Sequence, residues 1–168
     1  MRPDPSGEAV EMEMSLTPLF NRETLTLRLP RWRPGSYRYS NYERKMSNLV
    51  AVDQNGNPRT LLEIDPRTWE VDTADATSLT VSYRLETTNE AAESAPAAIH
   101  LHGPAAFLYT EDSMHLRHVL KLDLPAGWDF ASGHRPLADA DWTFQSPNYD
   151  VFVDCPMAFG AEGALERY

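Results

Sequence analysis

Alternation with period two constrains this chain more than any other feature of its sequence. Successive side chains on a β-strand point to opposite faces, so a strand with one buried face reads apolar, polar, apolar along the chain. Val10, Met12, Met14 and Leu16 alternate with Glu11, Glu13 and Ser15, and Leu25, Leu27 and Leu29 alternate with Thr24, Thr26 and Arg28. Leu79, Val81, Tyr83 and Leu85 repeat the pattern, and the longest run sets Met114, Leu116, Leu120, Leu122 and Leu124 against His115, Arg117, Lys121 and Asp123. These segments predict half-buried antiparallel strands.

Thirteen prolines and eight glycines punctuate the strands. Asp53 to Pro58, which contains an Asn-Gly pair, predicts a tight hairpin, and Pro125-Ala126-Gly127 predicts a turn that closes the long strand. Only Asn89 to Ala95 reads as helical, and Pro96 stops it within two turns. With 168 residues, no internal repeat and no shift in composition, the chain is expected to be one domain over 1–168. The fold class follows: all-β, an antiparallel sandwich or a saddle-like pair of sheets.

Charge and composition exclude several roles. Twenty-five acids against 15 bases give a net charge of -10, which disfavours nucleic acid and anionic membrane as partners. The longest apolar run, Ala105 to Tyr109, is far short of the roughly 20 residues of a membrane helix. The first residues lack the apolar stretch of a signal peptide. A soluble chain is expected, with its compartment left open. A single cysteine, Cys155, excludes an internal disulfide, and the neighbouring Asp154 disfavours its thiolate, so a small packed hydrophobe is the plainer reading.

The five histidines, His100, His102, His115, His118 and His134, include no pair four apart and none followed by Glu, so the helical HExxH zinc site is not here. On a strand His100 and His102 share a face and would chelate only with a third ligand, which is not evident; no metal site is assigned. The acids Asp139, Asp141, Asp150 and Asp154 are close in sequence, but spacing alone does not make them converge. Arg28 to Lys45 runs against the overall charge, with six bases, one acid, and Trp32, Tyr37, Tyr39 and Tyr42 interleaved. Trp32 lies between two prolines beside a Gly-containing turn, a setting that predicts an indole inserted into the core. The alternative for this segment is an aromatic platform for sugar or peptide on a stand-alone binding module, which requires those rings in solvent.

That segment, LPRWRPGSYRYSNY, resembles the LPxWxPGSY signature of the amino-terminal domain of the glycyl aminopeptidases, family 61 of the metallopeptidases. VAVDQNGNP, TWEV (Thr68 to Val71), VSYRL (Val81 to Leu85) and PAGW (Pro125 to Trp128) keep the family's order. NYDVFVDCPMAFG at Asn148 to Gly160 is similar to the DYDxLxDxP element that precedes the catalytic domain. The resemblance spans about 24–160. It implies a noncatalytic β-domain, like the saddle domain of aminopeptidase N relatives, packing on a zinc peptidase domain and helping to shape its substrate cleft. Trp32, Pro34, Gly35, Ser36, Tyr37, Tyr149, Asp150, Asp154 and Pro156 would then be structural motif residues, and no residue here would be catalytic.

Where relatives carry an Asn-Gly-Thr segment this chain reads GPAAFLYTED, and the resemblance places Tyr109, Thr110 and Glu111 on the substrate or interdomain side. The family's zinc helix and later domains are absent, so zinc is implied only for that missing catalytic domain. The implied partners are that domain and the peptide substrate of the parent enzyme. Such a domain is expected to expose a mixed apolar and charged patch along Tyr149 to Phe159 and Phe107 to Asp112, bordered by Arg31 to Lys45.

Overall fold

The structure, a computed structural model, describes residues 1–17, 23–32, 35, 39–87, 98–161 and 163–165. In chain order it forms β1 (Arg2–Pro3), β2 (Ala9–Leu16), β3 (Thr24–Arg28), β4 (Met46–Asp53), β5 (Pro58–Arg59), β6 (Leu61–Asp65) and β7 (Thr68–Asp72). There follow β8 (Leu79–Glu86), β9 (Ala98–Leu101), the single-turn helix α1 (Gly103–Ala106), β10 (His118–Lys121), β11 (Trp128–Ser132), β12 (Arg135–Pro136) and β13 (Thr143–Ser146). Helix α2 (Tyr149–Asp154) and β14 (Met157–Ala161) complete the order. The strands pair antiparallel in four sheets, β1-β2-β8-β4-β5, β3-β7-β6, β10-β13-β12 and β11-β14-β9. The all-β expectation holds; the predicted helix at Asn89 to Ala95 lies outside the described residues.

The longest ladder shows why period two dominates. Val10, Met12, Met14 and Leu16 of β2 stand opposite Leu85, Tyr83, Val81 and Leu79 of β8. All four β8 residues are buried, with Val10 and Met12 beside them. On the other face Glu11 is paired to Arg84, carboxylate to guanidinium at 2.5 Å. A register slip of one residue would turn every apolar side chain outward, which is why this pairing is strongly specified. The same apolar cluster takes in Leu27 and Val71 from the second sheet, Leu120 from the third, and Ile99 and Phe159 from the fourth.

The Asn-Gly hairpin forms between β4 and β5 as expected. Gly56 has φ +79°, the left-handed region that glycine enters without a Cβ penalty. Asp53 is buried, and its carboxylate accepts from the N–H groups of Asn55 and Asn57 at 2.8 and 3.0 Å and from the Arg59 guanidinium at 2.7 Å.

The predicted strand over Met114 to Leu124 is shortened. Glu111–Ser113 is a 3-10 turn, the Leu116 N–H donates back to the Ser113 carbonyl, and only His118–Lys121 pairs as strand. Thr110 and Ser113 cap each other reciprocally, satisfying amides locally that a longer ladder would have used. Leu116 consequently remains exposed, Val119 is exposed on the opposite face of the strand from Leu120, and Leu120 and Leu122 are buried. No helix among the described residues is long and apolar enough to cross a membrane.

Candidate functional site

The segment from Gly103 to Ser113 is held from several directions at once. Pro104 suits the first turn of α1, whose Phe107 N–H donates to the Gly103 carbonyl at 2.9 Å. Gly103 lies against the backbone of Val153 in α2, where an added Cβ would stand 2.3 Å from the carbonyl oxygen. The Tyr83 hydroxyl of β8 donates to the Ala106 carbonyl at 2.6 Å, and the Tyr149 hydroxyl of α2 donates to the Phe107 carbonyl at 2.7 Å. Burial pushes both phenols well above their ordinary pKa, so both stay protonated as donors. Two tyrosines thus fix consecutive carbonyls and aim the chain that follows.

That chain next meets β3. Tyr109 and Arg28 exchange both backbone hydrogen bonds at 2.9 Å, and the Arg28 guanidinium forms an ion pair with Glu111. Tyr109 is half-buried, its ring 5.0 Å from that of Tyr149; Thr110 is buried; Glu111 is exposed. Two clefts flank this segment. One, of about 460 Å³, is polar, lined by Glu23, Thr24, Thr26, Arg28, Thr110, Glu111 and Asp112. The other, of about 590 Å³, opens between β2 and β10, with Leu25, Tyr83, Phe107, Leu108 and Phe152 among its lining. Three acids against one arginine suit the polar cleft to a cationic group such as a peptide amino terminus.

Among the described residues, no hydrogen bond or ion pair in either cleft joins a nucleophile to a base. Cys155 is half-buried, donates to the Val151 carbonyl at 3.4 Å, and is pushed up in pKa by burial and then by Asp154. Ser132 Oγ does lie 2.7 Å from His134 Nδ1, but it is also 2.9 Å from the Pro156 carbonyl, and His134 Nε2 is bound to the Phe152 carbonyl at 3.0 Å. Those contacts bridge β11, α2 and the start of β14, a structural role. His100 is exposed on β9, and His102 precedes the first turn of α1. Among the described residues no three His, Cys, Asp or Glu side chains converge to hold a metal.

Several sequence-derived placements are corrected. Trp32 is 40% exposed, not inserted into the core, whereas Leu27 and Leu29 just before it in the chain are buried. Tyr39 is also exposed, with the Arg31 guanidinium 4.6 Å from its ring centroid, and Tyr42 packs partly against the core. Gly35 sits in a turn at φ +72°, while Pro34, Ser36 and Tyr37 lie outside the described residues.

The patch expected along Tyr149 to Phe159 and Phe107 to Asp112 is instead largely interior: Tyr149, Phe152, Val153, Met157 and Phe159 are buried, as are Phe107, Leu108 and Thr110. The exposed residues left there are Asp150, Val151, Asp154, Pro156 and Glu111. Of the described motif residues, Tyr149 is brought against Tyr109. Glu23 and Arg28, which complete the polar cleft, went unrecognised because no local signal pairs β3 with a turn 83 residues away.

The chain matches the family described as the Peptidase M61 N-terminal domain over residues 2–161, a span that takes in β1 and β2 ahead of Thr24. No curated protein matches it. Among solved structures it is similar to one described as an aminopeptidase N family protein from Idiomarina loihiensis, with a TM-score of 0.77 and 22% identity. The match covers 94% of this chain and 28% of that one, so the chain spans under a third of that structure's length.

Proposed function

Because the chain belongs to the Peptidase M61 N-terminal domain family, we propose that it is the noncatalytic accessory domain of a glycyl aminopeptidase-like zinc metallopeptidase. It packs on the catalytic domain and walls part of that domain's substrate cleft. The observation that carries this reading is the family match over 2–161, nearly the whole chain. Support comes from the polar cleft, whose lining of Glu23, Glu111 and Asp112 with the single Arg28, itself paired to Glu111, is net negative and suits the amino terminus that an aminopeptidase must recognise. Trp32 and Tyr39, exposed rings beside Arg31, are the apolar surface that the catalytic domain covers. The hydrolytic zinc would be held by the catalytic domain, as the family resemblance implies.

The experiment is a comparison of glycyl-p-nitroanilide hydrolysis by this chain alone and by the chain joined to an M61 catalytic domain, each with zinc. Activity only in the joined protein is expected, with KM raised by Glu111→Gln. Zinc-dependent turnover by this chain alone, lost on replacing His100 or His102, would overturn the reading.

A further inference from the structure

β3 carries an edge that its sheet uses only in part. Hydrogen-bonding direction alternates along a strand, and three contacts fix its phase in the sheet β3-β7-β6. The Asp72 N–H donates to the Thr60 carbonyl, the Thr73 N–H donates to the Glu23 carbonyl, and Arg28 exchanges both backbone bonds with Tyr109 on the side away from β7. Glu23, Leu25 and Leu27 therefore bond toward β7, while Thr24, Thr26 and Arg28 direct N–H and C=O outward. Arg28 is served by Tyr109. The next residues in line to serve Thr26 and Thr24 would be Glu111 and Ser113, but that segment leaves the ladder in its 3-10 turn. There the Ser113 N–H donates back to the Thr110 carbonyl at 3.1 Å and the Met114 N–H to the Glu111 carbonyl at 3.4 Å. Among the described residues no backbone group bonds the outward N–H and C=O of Thr24 and Thr26.

The polar cleft of about 460 Å³ lies along this open edge, with Thr24, Leu25 and Thr26 on one wall and Thr110, Glu111 and Asp112 on the other. Thr24 and Thr26 are exposed, so an incoming chain can reach them. Tyr109 pairs antiparallel with Arg28, and an extended chain that carries on its line also runs antiparallel to β3. Its first residue then stands opposite Thr26, where the protein's own chain turns away, and its third stands opposite Thr24. Charge sets the polarity. Antiparallel entry brings an amino terminus against Glu111 and Asp112, with Arg28 already paired to Glu111, whereas parallel entry would bring a carboxylate against like charge. The second residue shares the face of Leu25, which packs against the core, and the first and third share the outer face of Thr26 and Thr24.

We propose that β3 takes an extended peptide with a free amino terminus as an added antiparallel strand. The peptide's first and third residues exchange main-chain hydrogen bonds with Thr26 and Thr24, and its ammonium lies beside Glu111 and Asp112. Holding by main chain makes the site tolerant of the side chains at the first and third positions, while the second, against Leu25, suits an apolar residue. The proposal deepens the accessory-domain reading by naming how that same cleft grips a peptide. It is tested by binding without turnover, so its failure is distinguishable from failure of the reading, which is tested by turnover in the joined protein.

The test is a fluorescence anisotropy titration of the whole chain with the peptide Gly-Val-Thr-Val-Thr, labelled at its carboxyl end and free at its amino end. Saturable binding is expected, weakened at least about tenfold by acetylation of the amino terminus or by N-methylation of the third residue. N-methylation of the second residue, whose N–H is directed away from β3, is expected to leave affinity within about twofold. Thr24→Pro and Thr26→Pro remove outward donors at an edge where proline is tolerated, and each is expected to weaken binding at least about tenfold with the melting temperature retained. Hydrogen exchange should slow at the Thr24 and Thr26 amides when peptide is bound. Absence of saturation at millimolar peptide, equal binding of the acetylated peptide, equal effects of methylation at the second and third residues, or protection confined to other segments would each overturn the proposal. The modified peptides decide it on the unaltered chain if the proline variants fail to fold.

Discussion

Single residues in this domain divide by whether a side chain completes a buried hydrogen bond or merely covers surface. Tyr83 does the first: its hydroxyl serves the carbonyl of Ala106, a fully buried residue. Tyr83→Phe leaves that acceptor unsatisfied and should cost about 1–3 kcal/mol, measured by urea unfolding. Trp32 does the second. At 40% exposure its removal opens no core cavity, and Trp32→Ala should cost about 1 kcal/mol or less by the same measurement. The contrast separates the two kinds of aromatic, although both sit in motifs legible in the sequence. Composition and neighbours could not distinguish them, because burial of a ring depends on which other segments reach the same point first.

Elements are limited by their ends and their closest approaches. The β4-β5 hairpin closes on Asp53: burial acts to raise its pKa, but the hydrogen bonds from Asn57, Asn55 and Arg59 outweigh that and hold the carboxyl well below the usual carboxylate range. A depressed carboxyl contributes stability that is fully present above its unfolded pKa of about 3.9 and is lost as pH falls toward the folded value. Melting temperature should therefore fall as the buffer is taken below about pH 4, and Asp53→Asn should flatten that limb while lowering stability at neutral pH. The Asn-Gly pair made this hairpin readable, since its turn chemistry is local.

The contact of α1 with α2 was not readable. Gly103 touches Val153 across 50 positions of sequence, and nothing near either residue announces the other. Gly103→Ala drives a methyl into backbone that cannot turn aside, so a loss of about 3 kcal/mol or more is expected in thermal unfolding. Tyr149 and Glu111 should then also lose their placement, which a fall in amide protection at Phe107 to Ser113 would reveal.

At the scale of the whole molecule, four sheets share one apolar cluster, and the last strand is central to it. β14 lies between β11 and β9 and carries Phe159, which is fully buried. A chain ending at Cys155 should lose cooperative unfolding and its near-ultraviolet circular dichroism, because β9 and β11 lose the neighbour they share and the cluster loses Met157 and Phe159. By itself the sequence determined the all-β class, the faces of β2, β3 and β8, the hairpin at Asn55-Gly56, and through its motifs the family. Each is written in period two, in turn residues or in a contiguous signature, all short-range. Tertiary structure alone decided that Met114 to Arg117 leaves the strand, that Trp32 faces solvent, and that Arg28 and Glu23 join Glu111 in one cleft. Those outcomes depend on which distant segments compete for the same buried volume and the same hydrogen-bond partners, a competition settled only when the whole chain packs.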